Sequence, residues 1–300
     1  MPEKLIRFDW AMKKLLRSKT NFVILEGFLS ELLLEDIKIL EILESESNKD
    51  DRDDKFTRVD LLVKDSKGDL IIIEIQNNEQ VEYFKRILFG VSKTICDFMQ
   101  KGDSYKKVKK IISVSILYFD IGHGTDYVYK GRTEFKGIHN NDILELSTKQ
   151  KTSLGDMPLS QIFPEYYLLK VNQFNDLAKN TLDEWIYFLK HEEIKEDFKA
   201  KGLKEAKERL RVMKMPPKDK KDYEHYLESL SDSESFYLNT FTLGKIEGIL
   251  EGREEGREEG LAEGEKKKAL EIAKQLLDVL DAETISRKTG LTLEEIAELK

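Results

Sequence analysis

The sequence predicts a three-layer α/β core, a small central sheet flanked by helices, followed by an α-helical C-terminal half. Three observations carry that prediction. Val59 to Gln76, VDLLVKDSKGDLIIIEIQ, sets two runs of strand-forming residues around a turn-rich Asp65-Ser66-Lys67-Gly68-Asp69, the pattern of an antiparallel hairpin. Glu79 to Gln100 then repeats apolar residues at helical spacing, and KIISVSILYF at 110–119 is an apolar run suited to a buried strand. Helices on both sides of such a sheet make three layers.

In chain order, Phe8 to Arg17 (FDWAMKKLLR) has apolar residues at 8, 11, 12, 15 and 16, a helical stripe. A second apolar helix is expected over Asn21 to Leu34, with Asn21 as its cap. Lys38 to Leu43 reads as a short strand and Glu44 to Lys55 as a polar, acidic loop before the hairpin. In the helix over Glu79 to Gln100 the stripe is Val81, Phe84, Ile87, Leu88, Val91, Ile95 and Phe98, with Gly102 ending it. Strands are expected within Val108 to Phe119, Tyr127 to Phe135 and Asp142 to Leu146. These elements make residues 1–150 one compact domain.

Residues 151–241 read as a helical extension packed on that core. Leu154 to Leu189 is helical in pattern, with Phe163, Tyr166, Tyr167, Trp185 and Phe188 as core aromatics. Phe198 to Met213 is highly charged, Met215-Pro216-Pro217 stops a helix, and Tyr223 to Thr240 is a further helix. Residues 242–268 carry glycine at 244, 248, 252, 256, 260 and 264. Each glycine costs a helix about 1 kcal/mol relative to alanine. Because charges rather than apolar residues separate them, the segment reads as a weakly helical, fraying linker.

Residues 269–300 read as a small helical interaction module. Ala269 to Leu280 is a helix, a second ends at Thr289-Gly290, and a third is capped by Thr292 with Glu295 completing a capping box. The last pair has the size of a helix-turn-helix. Its second helix, LTLEEIAELK, is acidic where a recognition helix would face phosphates.

The chain has 300 residues, 36% of them charged, and a net charge of −8, which excludes a surface basic everywhere. Much of the acid lies in Glu41 to Asp54 and beyond Glu247. Basic residues gather at Lys13, Lys14, Arg17 and Lys19, at Lys85 and Arg86, and at Lys101, Lys106, Lys107, Lys109 and Lys110. They read either as a solvated face or as a nucleic-acid track. The single Cys96 excludes a disulfide framework and is expected to be a small buried group on a helix. MPEKLIRFDW lacks the apolar stretch of a signal peptide, and no run is long enough to span a bilayer, so a cytoplasmic location is expected.

The chemistry concentrates in the hairpin. With Ser66-Lys67-Gly68 as the loop, Asp65 faces Asp69, facing numbers sum to 134, and Asp60 faces Glu74. Alternation puts Ile72, Glu74 and Gln76 on one face. Opposed carboxylates repel unless a proton or a cation intervenes, and a divalent metal is the simplest occupant. The alternative is a solvated hairpin face, or a register slipped by one. Against it, Glu74 interrupts Leu70-Ile71-Ile72-Ile73 and Ile75, a run apolar on both faces where an ionised group needs a partner. The sequence has no G-x-x-x-x-G-K-[ST], H-E-x-x-H, paired C-x-x-C or G-x-S-x-G motif, and its histidines are scattered at 123, 139, 191 and 225. Oxygen ligands suit Mg²⁺ or Mn²⁺, and carboxylate-held magnesium most often serves phosphoryl chemistry.

Asp60, a hairpin and then Glu74-x-Gln76 resembles the PD-(D/E)XK nuclease superfamily, in the branch of recombination-promoting nucleases and transposase-like proteins, where glutamine commonly replaces lysine. FDWAMKKLL, YFKRILFGVSKTICDFMQKGDSYKKVKKIISVSILYF, DEWIYFLK, the EGxxEG tail and TGLTLEEIAEL extend the resemblance over essentially the whole chain. The resemblance implies a restriction-endonuclease-like core. It also implies that Asp60 and Glu74 ligate the metal with the backbone carbonyl of Ile75, that Gln76 orients the attacking water, and that Asp9 adds a further acidic group. Glutamine carries no charge to stabilise a pentacovalent phosphate, and Lys13 or Lys85 would supply it.

The expectation is therefore a Mg²⁺- or Mn²⁺-dependent DNA endonuclease of low sequence specificity, linked to recombination or transposase-like activity. Lys13, Lys14, Arg17, Lys85 and Arg86 would contact DNA, and the tail would bind a second copy or another protein. The rivals are a non-cleaving DNA-binding module of the same fold and a regulatory, oligomerising protein.

Overall fold

The computed structural model describes residues 4–43 and 60–299. In chain order these form α1 (Phe8–Lys14), α2 (Phe22–Leu33), β1 (Ile39–Leu43), β2 (Leu61–Asp65), β3 (Leu70–Gln76) and α3 (Tyr83–Asp97). There follow β4 (Ile111–Leu117), β5 (Val128–Gly131), α4 (Thr148–Leu154), β6 (Glu165–Lys170), α5 (Thr181–His191) and α6 (Leu203–Arg209). The last elements are α7 (Pro217–Leu276), α8 (Ala282–Thr289) and α9 (Leu293–Ala297). The chain divides into two compact units, Met1–Ser229 and Leu230–Lys300. The expected acidic loop at Glu44 to Lys55 lies outside the described residues.

The hairpin forms in the expected register, with Leu61 opposite Ile73, Leu62 opposite Ile72, Val63 opposite Ile71 and Lys64 opposite Leu70. Its turn is held locally. The Asp65 carboxylate accepts from the N–H groups of Lys67 (2.9 Å) and Asp69 (2.8 Å), and Gly68 takes φ 86°, a left-handed conformation open to glycine without a Cβ clash. Around the hairpin the described strands make a six-stranded sheet in the order β1-β2-β3-β4-β6-β5. β3, β4 and β6 run parallel, and the remaining pairs are antiparallel.

Alternation along β2 and β3 divides their side chains between two helical layers. Leu61, Val63, Ile71, Ile73 and Ile75 pack with residues of α1, α2 and α5, including Phe8, Phe28, Trp185 and Phe188. Those four aromatic rings meet edge to face, an arrangement that adds to simple area burial. A Cβ on Gly27 of α2 would collide with the Lys201 carbonyl, so glycine is needed for the backbones to approach. On the opposite face Leu62, Leu70 and Ile72 meet Val91, while Tyr83 and Ile87 meet Leu117 and Phe119. β4 is buried at every position. This is the predicted three-layer, restriction-endonuclease-like α/β fold.

Several local expectations change. The helix expected over Glu79 to Gln100 is shorter, Tyr83–Asp97, and Gly102 lies in a later turn. Only Tyr83, Ile87, Val91 and Thr94 of α3 are buried, so Val81, Phe84, Leu88 and Phe98 of the apolar stripe are exposed, as is Cys96. Asp142 to Leu146 is not a strand and contributes one isolated bridge, Ile143 to Lys136. Within the helical reading of Leu154 to Leu189, Glu165–Lys170 is instead β6, inserted between β4 and β5. A boundary at residue 150 would cut the sheet there. Asn21 sits at the start of α2, but its side chain does not cap it; Nδ2 donates to the Leu15 carbonyl.

In the second unit Ala273, Ile285, Leu291 and Ile296 form a small core. The caps are those expected, with Gly290 left-handed after α8 and a full Thr292–Glu295 capping box on α9. The glycine-rich segment read as a linker is helical throughout. α7 continues as helix through all six glycines, and a Cβ at any of them would meet nothing within 4 Å. Once a helix is nucleated, each added residue gains a hydrogen bond, which offsets the glycine penalty. Pro217, expected to stop a helix, is the first residue of α7, where its missing N–H is of no consequence. Among the described residues no helix is long and apolar enough to cross a membrane.

Candidate active site

Asp60 immediately precedes β2, and the hairpin register continued by one step sets it opposite Glu74. Its Oδ2 accepts a 2.8 Å hydrogen bond from the Ile75 N–H. Lys13 Nζ lies 3.5 Å from Oδ1, and Arg17 donates to the Asp60 main-chain carbonyl at 3.2 Å. α1 and the turn after it thus bring two cations to this residue. In an antiparallel ladder the N–H and C=O of one residue point to the same neighbour. The Ile75 carbonyl therefore faces the β2 side, where Asp60 lies.

Glu74 points to the α3 layer, as Ile72 does. Tyr83 Oη donates to its Oε2 at 3.4 Å. The Glu74 carboxyl is pushed above the ordinary glutamate range, chiefly by burial; Asp60 adds to the rise, while Arg86 and the Tyr83 bond oppose it. The Tyr83 phenol is raised in turn by its own burial and by Glu74. The expected repulsion between the two carboxylates is thus felt at Glu74.

Gln76 Nε2 donates to the Asn78 carbonyl at 3.2 Å, and its Oε1 accepts from Arg86 Nη1 at 3.4 Å. The same nitrogen donates to Gln80 at 3.0 Å. The sequence pattern assigns Arg86 only to DNA and gives Tyr83 no role in the site. The signal that could find them is their spacing: residues three apart on a helix share a face, so Tyr83 reaches the sheet beside Arg86. Lys85 is exposed and, among the described residues, has no ion-pair partner. Lys14 is exposed near the end of α1.

Asp9 is buried, and its contacts lie elsewhere. It accepts from the Trp10 N–H (2.7 Å), from Arg7 (3.3 Å), from Asn77 Nδ2 (3.3 Å) and from the Tyr226 hydroxyl. Burial and Asp9 together hold the Tyr226 phenol well above its usual range. The network ties α1, the end of β3 and the first turns of α7 together. Among the described residues Asp9 makes no hydrogen bond to Asp60 or Glu74.

The donors grouped at the ends of β2 and β3 are two carboxylates, a backbone carbonyl and a carboxamide, all oxygen. Among the described residues no cluster of three or more His, Cys, Asp or Glu is placed to hold a metal. Mg²⁺, however, is ordinarily held by one or two carboxylates and completes its shell with water and substrate phosphate. A half-buried carboxyl beside a second carboxylate is also a site that a cation would neutralise. Asp60, Glu74 and Ile75 therefore fit a hard divalent ion.

A profile of the PD-(D/E)XK nuclease family transposases matches residues 6–239. Comparison with curated proteins and with solved structures gives no match.

Proposed function

This chain belongs to the PD-(D/E)XK nuclease family transposases, and on that premise we propose that it is a metal-dependent DNA endonuclease of low sequence specificity, acting in recombination or transposase-like processing. The observation that carries the reading is the Asp60–Ile75 hydrogen bond. It holds one acid of the motif against the strand bearing the other, beside the carbonyl of the third donor.

Asp60, Glu74 and the Ile75 carbonyl would hold Mg²⁺ or Mn²⁺. Such an ion polarises a scissile phosphate and lowers the pKa of a bound water. Gln76 would orient the attacking water through its carboxamide, which hydrogen-bonds Arg86 and the Asn78 carbonyl. The guanidinium of Arg86 acts on both Gln76 and Glu74, and it supplies the fixed positive charge that glutamine lacks. Lys13, beside Asp60, supplies a second. Asp9 acts at a distance, by anchoring Asn77 next to Gln76.

Lys13 and Lys14 on α1, Arg17 in the turn after it and Lys85 on α3 are exposed beside the site and would grip the DNA backbone irrespective of sequence. The second unit would mediate association with another copy or another protein. Gln76 itself favours a second reading, a module that binds DNA without cutting it. Incubating supercoiled plasmid with the protein and Mg²⁺ or Mn²⁺, with EDTA and Asp60→Ala as controls, separates the two. Metal-dependent nicking that disappears in the variant is expected, whereas retardation without nicking would leave only the binding module.

A further inference from the structure

The end of the sheet remote from Gln76 holds a second charge cluster that the nuclease reading does not use. A cleft of about 510 Å³ opens there between the hairpin loop, the segment leading into β4, and the start of β6. β3 has seven residues, and at about 3.3 Å per residue its two ends are roughly 20 Å apart.

Five lysines, Lys67, Lys106, Lys109, Lys110 and Lys130, line the cleft against three carboxylates. Glu165 is only 8% exposed and is shared: Lys110 lies 3.0 Å from Oε1 and Lys130 3.0 Å from Oε2. Glu35 is paired with Lys67. The third, Asp69, has its carboxyl pushed upward, first by burial and then by Asp65. Asp65 lies beneath the loop, its carboxylate occupied by the N–H groups of Lys67 and Asp69. Among the described residues Lys106 and Lys109 have no ion-pair partner, and the Lys109 ammonium is held over Gly68, 3.6 Å from where a Cβ would stand. A chain of net charge −8 thus concentrates excess positive charge in a concave site. Two cations sharing one buried carboxylate leave a charge that an anion would neutralise.

We propose that this cleft binds a phosphate monoester, the terminal phosphate of a free nucleotide or of a nucleic-acid end. Lysines suit phosphate as mobile point charges. The volume falls within the range of about 300–1,000 Å³ usual for small-ligand pockets. Exposed Tyr105 stands at the rim, where its ring can stack on a base. Binding of this kind requires no cleavage.

The test is calorimetric titration of the full chain in EDTA with inorganic phosphate, dAMP, and a single-stranded 5′-phosphorylated oligonucleotide beside its 5′-hydroxyl twin. The phosphorylated probes are expected to bind. Lys109→Glu and Lys130→Gln should each weaken them by about tenfold or more, the cost of a charged hydrogen bond. Metal-dependent nicking of circular plasmid, which presents no ends, should be unchanged in both variants. Tighter binding of the phosphorylated oligonucleotide identifies a nucleic-acid end and tighter binding of dAMP a free nucleotide; either supports the site. Equal binding of the two oligonucleotides with none of phosphate or dAMP overturns it, as does wild-type affinity in both variants. Because metal is absent throughout, failure here leaves the nuclease reading intact, and loss of nicking in Asp60→Ala leaves the cleft intact.

Discussion

The Asp60 carboxylate accepts a 2.8 Å hydrogen bond from the backbone N–H of Ile75, so the side chain of one candidate ligand closes the ladder on the strand carrying the other two. The bond needs only an acceptor oxygen, whereas metal binding needs the charge. Asp60→Asn should therefore keep the metal-free melting temperature while abolishing Mg²⁺-dependent cleavage. Asp60→Ala should lose about 1 kcal/mol of stability as well, the usual net worth of a hydrogen bond. Retained cleavage in Asp60→Asn would sink the metal assignment.

Glu74 gives a pH dependence of opposite sign to that of an ordinary salt-bridged carboxylate. Burial, with Asp60 adding to it, makes its carboxyl easier to protonate in the folded chain than in the unfolded one, so ionising it opposes folding. The destabilisation is absent below the ordinary glutamate value of 4.5, grows as pH rises above it, and is complete once pH exceeds the raised folded value. Metal-free stability measured by denaturation across that window should fall in the wild type. Glu74→Gln should remove this component and raise the melting temperature at neutral pH. An unchanged pH slope in the variant would locate the effect elsewhere.

Arg86 touches Gln76 and acts on Glu74, and on the proposed mechanism its charge matters at the transition state. Arg86→Ala should lower the single-turnover nicking rate by about 10²-fold, the scale of losing one preorganised electrostatic donor. Adding Gln76→Lys should restore part of the loss by returning a cation to the strand. A rate unaltered by Arg86→Ala would transfer the role to Lys13.

Reversing Lys13 and Lys14, or changing Lys85 to Glu, should weaken DNA binding equally for unrelated sequences. The slope of log K against log salt should shrink by about 0.9 for each phosphate that the variant no longer neutralises. Fluorescence anisotropy over a salt series reads both quantities. Unchanged slopes would mean that the DNA lies away from α1 and α3.

The long helix α7 begins in the first unit and ends in the second. Tyr223 packs on Trp10 at 5.3 Å between ring centroids, and Tyr226 bonds Asp9, so the first turns of α7 belong to the first unit. A chain ending at Phe241 should keep the melting temperature of that unit and its nicking rate. One ending at Asp222 should lose about 3 kcal/mol or more, comparable to deleting a buried aromatic. Within α7, Gly252→Ala and Gly256→Ala should each add about 1 kcal/mol to helix stability, since nothing lies within 4 Å of the added carbon.

By itself the sequence determined what depends on near neighbours. The hairpin register follows from Gly68 and the turn around it, and with it the opposition of Asp60 and Glu74. The boundary of α8 and the cap of α9 follow from Gly290, Thr292 and Glu295. Each is set by residues a few positions apart, whose geometry period and turn chemistry fix. The tertiary structure alone decided which distant segments meet. β6 enters the sheet because its apolar face completes the layer beside β4, and nothing within Glu165–Lys170 names that partner. Arg86 reaches Gln76 rather than only solvent because α3 docks through Tyr83, Ile87 and Val91, a narrower face than its apolar stripe. Asp9 turns to Arg7 and Tyr226, 217 residues away in the second case, because a buried carboxylate takes the strongest donors that packing brings to it, and packing is not written in local spacing.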